Sequence, residues 1–190
     1  MKNLPKILLI LASLFLLALF VFPMWKITLI APQYPDGVTM HIWVNKIGGD
    51  SPGTLQNVNI LNHYIGMKPI EPDSIAELKY FQYIVLGMVG LGLIFAFINK
   101  KWLFFTWILL LVVLGALGMY DFYLWEYDYG HSLDPNAPMQ FDDASFQPPL
   151  FGRKNIISFV ALSYPHIGGY FICLSMILGF SAWWLKRREI

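Results

Sequence analysis

Four long runs without a charged residue dominate this 190-residue sequence and restrict the folds open to it. They extend from Ile7 to Phe22, Tyr80 to Ile98, Trp102 to Tyr120 and Ile167 to Leu185. Crossing about 30 Å of hydrocarbon takes about 20 apolar residues at the helical rise of about 1.5 Å. Because backbone amides in lipid must be paired within their own segment, each run predicts a membrane-spanning helix.

Charged residues make up only 13% of the chain, against about 25% in an ordinary soluble domain. This composition excludes a typical soluble domain, and nothing in the sequence indicates binding to nucleic acid. We therefore predict a single α-helical integral membrane domain, residues 1–190, with a mixed α/β extracytoplasmic cap built from two loops. The four predicted transmembrane helices cover about residues 7–24, 80–98, 102–122 and 166–185, and the two loops cover residues 25–79 and 123–165.

The basic residues predict how these helices are oriented. Seven of the 13 lie beside helix ends that would share one membrane face: Lys2, Lys6, Lys100, Lys101, Lys186, Arg187 and Arg188. The segments on the other face, residues 24–79 and 121–166, carry six basic and eleven acidic residues. Because basic residues collect on the cytoplasmic side, both termini are expected in the cytoplasm. A cleaved signal peptide is the alternative for the first run, although no small-residue cleavage site follows it.

The first loop predicts a β-hairpin and then a short helix. Apolar and polar positions alternate through residues 25–47, on both sides of the turn-forming stretch PQYPDG. Apolar residues recur at helical spacing through residues 54–65, and Gly66 is a typical helix stop. Ser74-Ile75-Ala76-Glu77 has the pattern of a capping box, which would start the second transmembrane helix.

The second loop begins as a continuation of the third transmembrane helix. Asp121, Trp125 and Asp128 recur at i, i+4 and i+7, so the helix is expected to run on beyond the bilayer. Residues 155–163 are mostly apolar and precede Pro165. This pattern predicts either a short helix lying at the interface or a re-entrant extension of the fourth transmembrane helix.

The stretch NVNILNHYIGM, residues 57–67, concentrates polar groups in an apolar chain. Asn59, Asn62 and His63 would share one face of the predicted helix, with Met67 just past its end. Two interpretations remain open for this cluster. Its side chains either hydrogen-bond within a packed loop, or they form a ligand or metal site.

The metal interpretation involves residues from both loops. All four histidines lie in the loops or at their border with the membrane, and imidazole and thioether ligands together favour copper, with thioether selecting Cu(I). His63 and Met67 would be the first ligands, completed by one or more of four other residues of the cap: Met40, His41, His131 or Met139. Because His131 stands between two aspartates, a solvated acidic loop is the alternative there.

Four stretches of the loops resemble a known family: APQYPDGVTMHIW, NILNHYIGMKPI, WEYDYGHSLDPNAP and QPPLFG. They are similar to the NosB-like group of small polytopic membrane proteins that accompany nitrous oxide reductase maturation factors in bacteria. The resemblance implies a multi-pass protein of the bacterial inner membrane whose cap faces the periplasm, where a copper enzyme is assembled. It also implies a copper context for His63 and Met67, and it carries over no catalytic residue.

Two functions follow as expectations. The first is an accessory protein that handles copper or helps to mature a periplasmic copper enzyme in nitrous oxide respiration. The second is a non-enzymatic assembly subunit that contacts other membrane or periplasmic proteins and holds no metal. A membrane enzyme related to copper oxygenases is a third alternative, although no catalytic motif is recognisable. The surface expected to bind a partner comprises Asn59, Asn62, Tyr64, Trp43, Trp125, Tyr127 and Asp128.

Overall fold

The computed structural model describes residues 3–139, 145–157 and 159–189. Lys2, part of the predicted cytoplasmic basic group, lies outside these residues. The helices are α1 (Leu4–Phe15), α2 (Thr54–Ile65), α3 (Ala76–Ile98), α4 (Lys101–His131) and α5 (Ile167–Arg188), with 3-10 turns at Leu16–Phe20 and Pro72–Ser74. The strands are β1 (Trp25–Ala31), β2 (Tyr34–Ile42), β3 (Ile47–Gly49), β4 (Gly152–Ile156) and β5 (Phe159–Pro165).

Three helices of the described chain, α3, α4 and α5, are long and apolar enough to cross a membrane. Their outward side chains are large and hydrophobic, such as Phe97 and Ile177, which fits contact with lipid. The first apolar run forms a shorter helix, Leu4–Phe20, which is α-helical at first and 3-10 at its end. The protein is therefore a helical membrane protein, and the predicted number of four spans stays a prediction.

The helices pack around a core that includes the first apolar run. Leu9 of α1 and Trp107 of α4 are fully buried in it, and Trp107 donates its indole hydrogen to the Met88 carbonyl of α3 at 2.9 Å. Gly92 of α3 leaves the space in which Ser13 and Trp107 approach this helix. Small residues thus let α1, α3 and α4 come close together, as is common between membrane helices.

The cap contains a five-stranded antiparallel sheet in the order β3-β2-β1-β5-β4. The predicted hairpin is confirmed, since β1 pairs with β2 from Trp25 opposite Ile42 to Ala31 opposite Tyr34. Ile27, Met40 and Ala161 on one face are buried beneath the other cap elements. The sheet joins both loops into one unit, because β1 and β5 are its neighbouring central strands.

The prediction of a helix in residues 155–163 was wrong. Apart from Ile157, which lies in a turn, the described residues of this segment belong to β4 and β5, and β5 pairs along nearly the whole of β1. An apolar run of this length does not distinguish a helix from a buried strand by itself. The open edge of β1 decides the outcome, because its backbone groups need partners that a helix would not supply.

The predicted helix at 54–65 is confirmed with the same bounds. Val58, Leu61 and Ile65 are buried on one side, and Gly66 ends the helix with a left-handed φ of 79°. The predicted capping box was wrong, since α3 begins without a side-chain cap and the Ser74 hydroxyl donates to the Glu71 carbonyl instead. Ser74 belongs instead to the 3-10 turn that precedes α3.

The predicted extension of the third transmembrane helix is confirmed, because α4 continues to His131. Nine residues beyond position 122 add about 13 Å of helix above the predicted span. This extension lies below the sheet, where Phe122, Trp125 and Tyr129 pack against Ile27 and its neighbours. It brings helix side chains into the centre of the cap.

Candidate functional site

A cavity of about 50 Å³ lies inside the cap, between the sheet, α2 and the outer part of α4. This volume has room for an ion or a few water molecules. Its walls are almost entirely apolar. They come from the core face of the sheet, from the buried side of α2 and from the segment after residue 145. The lining residues whose side chains carry polar nitrogen or oxygen atoms are Asn62, Trp125, Glu126 and Tyr129.

Glu126 is the unusual residue of this cavity. Its side chain is fully buried, and neither carboxyl oxygen has a hydrogen-bond partner in the part of the chain that the structure describes. Burial raises the pKa of Glu126 to about 8, against a smaller opposing effect of the positive charge on Lys154. A buried, unpaired carboxyl is costly when ionised, so Glu126 is largely protonated at neutral pH.

Lys154, the cation that acts on Glu126, is engaged elsewhere. Its ammonium group donates to the Gln147 carbonyl at 3.0 Å, at the edge of the sheet. It therefore lowers the cost of a negative charge on Glu126 from a distance, without a hydrogen bond to the carboxylate.

The sequence around Glu126 explains its position. Phe122 and Gly130 lie four residues before and after it, and Tyr129 lies three residues after it, so they share its face of α4. A side chain at Gly130 would collide with the backbone of Gln147, and the Gly130 carbonyl accepts a hydrogen bond from the Phe146 amide at 3.1 Å. The segment after residue 145 therefore packs over the end of α4 and forms one wall of the cavity.

The two asparagines of the first loop hold the segment after α2. Asn59 bonds both backbone groups of Ile70, accepting from its amide at 2.7 Å and donating to its carbonyl at 3.1 Å. Asn62, which is buried, donates to the Lys68 carbonyl at 3.3 Å. With the left-handed Gly66, these bonds turn the chain so that Met67 faces the cavity.

Apart from His41, the residues predicted to bind metal fall in three places. Met40 and Met67 both line the cavity that contains Glu126. His63 is exposed on α2, beside Tyr64, at a ring distance of 6.3 Å. His131 is exposed at the end of α4, where its ring stacks on Tyr127 at 4.0 Å and its Nδ1 lies 2.9 Å from the Tyr127 carbonyl. These three places do not form one ligand set.

His41 lies at the membrane end of the sheet, next to another histidine. Its Nε2 is 2.7 Å from an oxygen of Asp50, and its ring centre is 5.0 Å from that of His166. Among residues 3–139, 145–157 and 159–189, no group of three or more histidine, cysteine, aspartate or glutamate side chains could hold a metal ion. His41 thus has one imidazole and one carboxylate as neighbours, and the three side chains are not arranged to hold an ion.

The predicted partner surface is divided between the outside and the inside of the cap. Tyr64 is 48% exposed, whereas Asn62 faces inward and Trp125 lines the cavity. Trp43 donates to the Val21 carbonyl at 3.3 Å, at the end of the first apolar helix. Asp128 pairs with Lys68 at 2.8 Å, and this hydrogen bond holds the pKa of the Asp128 carboxyl below its usual range.

Glu126 was missed by sequence reasoning, which gave weight to histidine and methionine. A usable signal was present, because Glu126 falls on the same helical face as Phe122 and Tyr129. An acid on the apolar face of a helix that leaves the membrane is expected to be buried in the cap.

Each of the four stretches that carry the family resemblance contributes to the cavity wall. Met40 comes from the first, Met67 from the second, Glu126 from the third and Pro148 from the fourth. The structure thus brings them together around one space. No protein-family model, curated protein or solved structure matches this chain.

Proposed function

We propose that this protein is a multi-pass accessory protein that presents its cap to a protein partner outside the cytoplasm, and that it is not itself an enzyme. The observation that carries this proposal is an exposed apolar patch on the cap, formed by Ile60, Tyr64 and Met139, which we call the distal patch. These side chains are 42%, 48% and 40% exposed. Exposed aromatic and methionine side chains of this kind are enriched in protein interfaces.

The distal patch is held rigidly. Ile60 and Tyr64 are one turn apart on α2, and the Met139 amide donates to the Tyr64 carbonyl at 3.0 Å. The Asp134 amide also donates to the Gly66 carbonyl at 2.8 Å, so the loop after α4 is tied to the end of α2. A rigid surface loses little conformational entropy when a partner binds.

The proposal includes a fourth transmembrane span, made by α1 and the 3-10 turn after it. Twelve α-helical and five 3-10 residues together are about 28 Å long, close to the hydrocarbon thickness. The ammonium group of Lys6 lies 4.6 Å from the ring centre of Phe97, near the end of α3 that is remote from the cap. This contact supports a first helix that reaches from the cap to the opposite end of the bundle.

The partner class follows from the resemblance to the NosB-like group. We propose a periplasmic copper enzyme or another subunit of its maturation machinery in the bacterial inner membrane, with both termini of this chain in the cytoplasm. Tyrosine and methionine on the distal patch, flanked by the exposed His63, suit a surface that recognises another folded protein.

Co-purification tests this function. The full chain is isolated from its native membrane, and the amounts of co-purifying subunits are compared with those of an Ile60→Ser/Tyr64→Ser variant. We expect the variant to lose a stoichiometric partner, whereas Phe151→Ser keeps it, because Phe151 is 65% exposed on another element of the cap. Equal retention by both variants, or no stoichiometric partner for the wild type, would reject the distal patch as the binding surface.

A further inference from the structure

No positively charged side chain is among the described residues that line the cavity around Glu126. Both carboxyl oxygens of Glu126 are buried and have no hydrogen-bond partner in the described residues, and Lys154 is bound to the Gln147 carbonyl instead. A buried carboxylate needs a partner of opposite charge or several donors. The geometry therefore leaves room for a bound cation.

The other candidate ligands in the cavity are thioethers. Met40 and Met67 both line it, one from β2 and one from the segment after α2. Met40 is 4% exposed and Met67 is half-buried, so neither sulfur competes with bulk water as a surface methionine would. Neutral, polarisable thioethers select Cu(I) among biological metal ions.

Other cations fit these walls poorly. Ca²⁺ takes six to eight oxygen ligands and Mg²⁺ keeps several waters, whereas this cavity offers one carboxylate among apolar side chains. A divalent ion would also leave a net positive charge in an apolar interior. A single monovalent ion with one carboxylate is neutral overall, which removes most of the cost of burying either charge alone.

We propose that this cavity is a binding site for one Cu(I) ion, held by the thioethers of Met40 and Met67 and the carboxylate of Glu126. Binding exchanges the carboxyl proton of Glu126 for the ion, so that charge is balanced and no redox step is involved. Asn62 and Asn59 act as positioning residues, since their bonds to the backbone of residues 68–70 place Met67. The site lies inside the cap, separate from the distal patch.

Titration of the copper-depleted, detergent-solubilised full chain with Cu(I) and a chromophoric Cu(I) chelator tests the site. We expect one Cu(I) per chain, and at least tenfold weaker binding in Met40→Leu, Met67→Leu and Glu126→Gln. The matched controls Met139→Leu and Glu71→Gln change exposed residues of the same types and should bind as the wild type does. X-ray absorption should show sulfur neighbours of copper that disappear in the Met40→Leu/Met67→Leu double variant.

Folding is checked separately by circular dichroism. Methionine to leucine nearly conserves volume, and glutamate to glutamine conserves shape, so these variants are expected to fold. The proposal is overturned if the folded wild type retains no stoichiometric Cu(I), or if His63→Ala abolishes binding while the cavity variants do not. The Ile60→Ser/Tyr64→Ser variant should still bind Cu(I), so failure of the distal patch and failure of the metal site can be told apart.

Discussion

The buried carboxyl of Glu126 makes the stability of the metal-free cap depend on pH. Its pKa is about 8 in the folded protein and 4.5 in an ordinary solvated glutamate. Between these values the folded state keeps a proton that the unfolded state has lost, so rising pH favours unfolding. The contribution of this carboxyl to the free energy of unfolding is complete below about pH 4.5. It is lost as pH rises through about 8, by at most about 1.4 kcal/mol per pH unit.

Glu126→Gln should remove this dependence. We expect the melting temperature of the metal-free wild type to fall more steeply than that of Glu126→Gln between about pH 5 and pH 8, so that the variant is the more stable protein at the upper end. The exposed Glu71→Gln variant should follow the wild-type curve. Parallel curves for the wild type and Glu126→Gln would show that the carboxyl does not titrate in this range.

Individual residues differ in how far the sequence predicts them. The polar cluster around Asn59 and His63 is visible as a pattern, but the direction of each side chain depends on the loop that follows the helix. The bonds from Asn59 to Ile70 turn Met67 inward and leave His63 outside. Such contacts link residues eleven positions apart, and no helical periodicity describes them.

Among the elements, Gly92 of α3 marks the closest contact between membrane helices. A Cβ at this position would collide with Ser13 of α1 and would lie 2.7 Å from the indole nitrogen of Trp107 in α4. Gly92→Ala should therefore lower the stability of the detergent-solubilised protein by about 1–3 kcal/mol, measured by thermal unfolding. Gly90→Ala is the matched control on the same helix, because a Cβ there meets nothing within 4 Å.

An equal effect of the two alanine substitutions would mean that α1 does not pack against α3 at this point. The contrast is sharp because both positions lie in one helix, two residues apart, and differ only in what surrounds them.

Elements defined by local pattern are predicted well, and those defined by distant pairing are not. Helix α2 follows from its apolar stripe and from Gly66, both of which are local features. Strand β5 pairs with β1, which precedes it by more than 120 residues in the chain. The apolar residues of β5 also fit a helix when this segment is considered alone. Only pairing with the open edge of β1 selects the strand.

At the scale of the whole molecule, the sheet fixes which helix ends meet at the cap. β1 follows the first apolar helix, and β5 leads directly into α5, so the end of one and the start of the other lie at the same membrane face. The His166 amide donates to the Met24 carbonyl at 2.9 Å and joins these two ends. α4 reaches the same face with its outer end, so the cap is attached to three helices at once.

This arrangement allows one labelling experiment to test the orientation of the entire protein. In a Cys173→Ser background, which removes the single cysteine, His63→Cys places a thiol on the exposed face of α2. Lys101→Cys places one at the exposed start of α4, next to the turn that follows α3. We consider the case in which both termini are cytoplasmic and four helices cross the membrane. A membrane-impermeant maleimide, added to cells whose outer membrane is permeable and whose inner membrane is intact, should then label position 63 and not position 101. Position 101 should become labelled only after the inner membrane is opened. Labelling in the opposite order would place the cap in the cytoplasm and the basic residues outside, against the positive-inside rule. The distal patch and the copper site would then not face the periplasm, where the proposed partner is located.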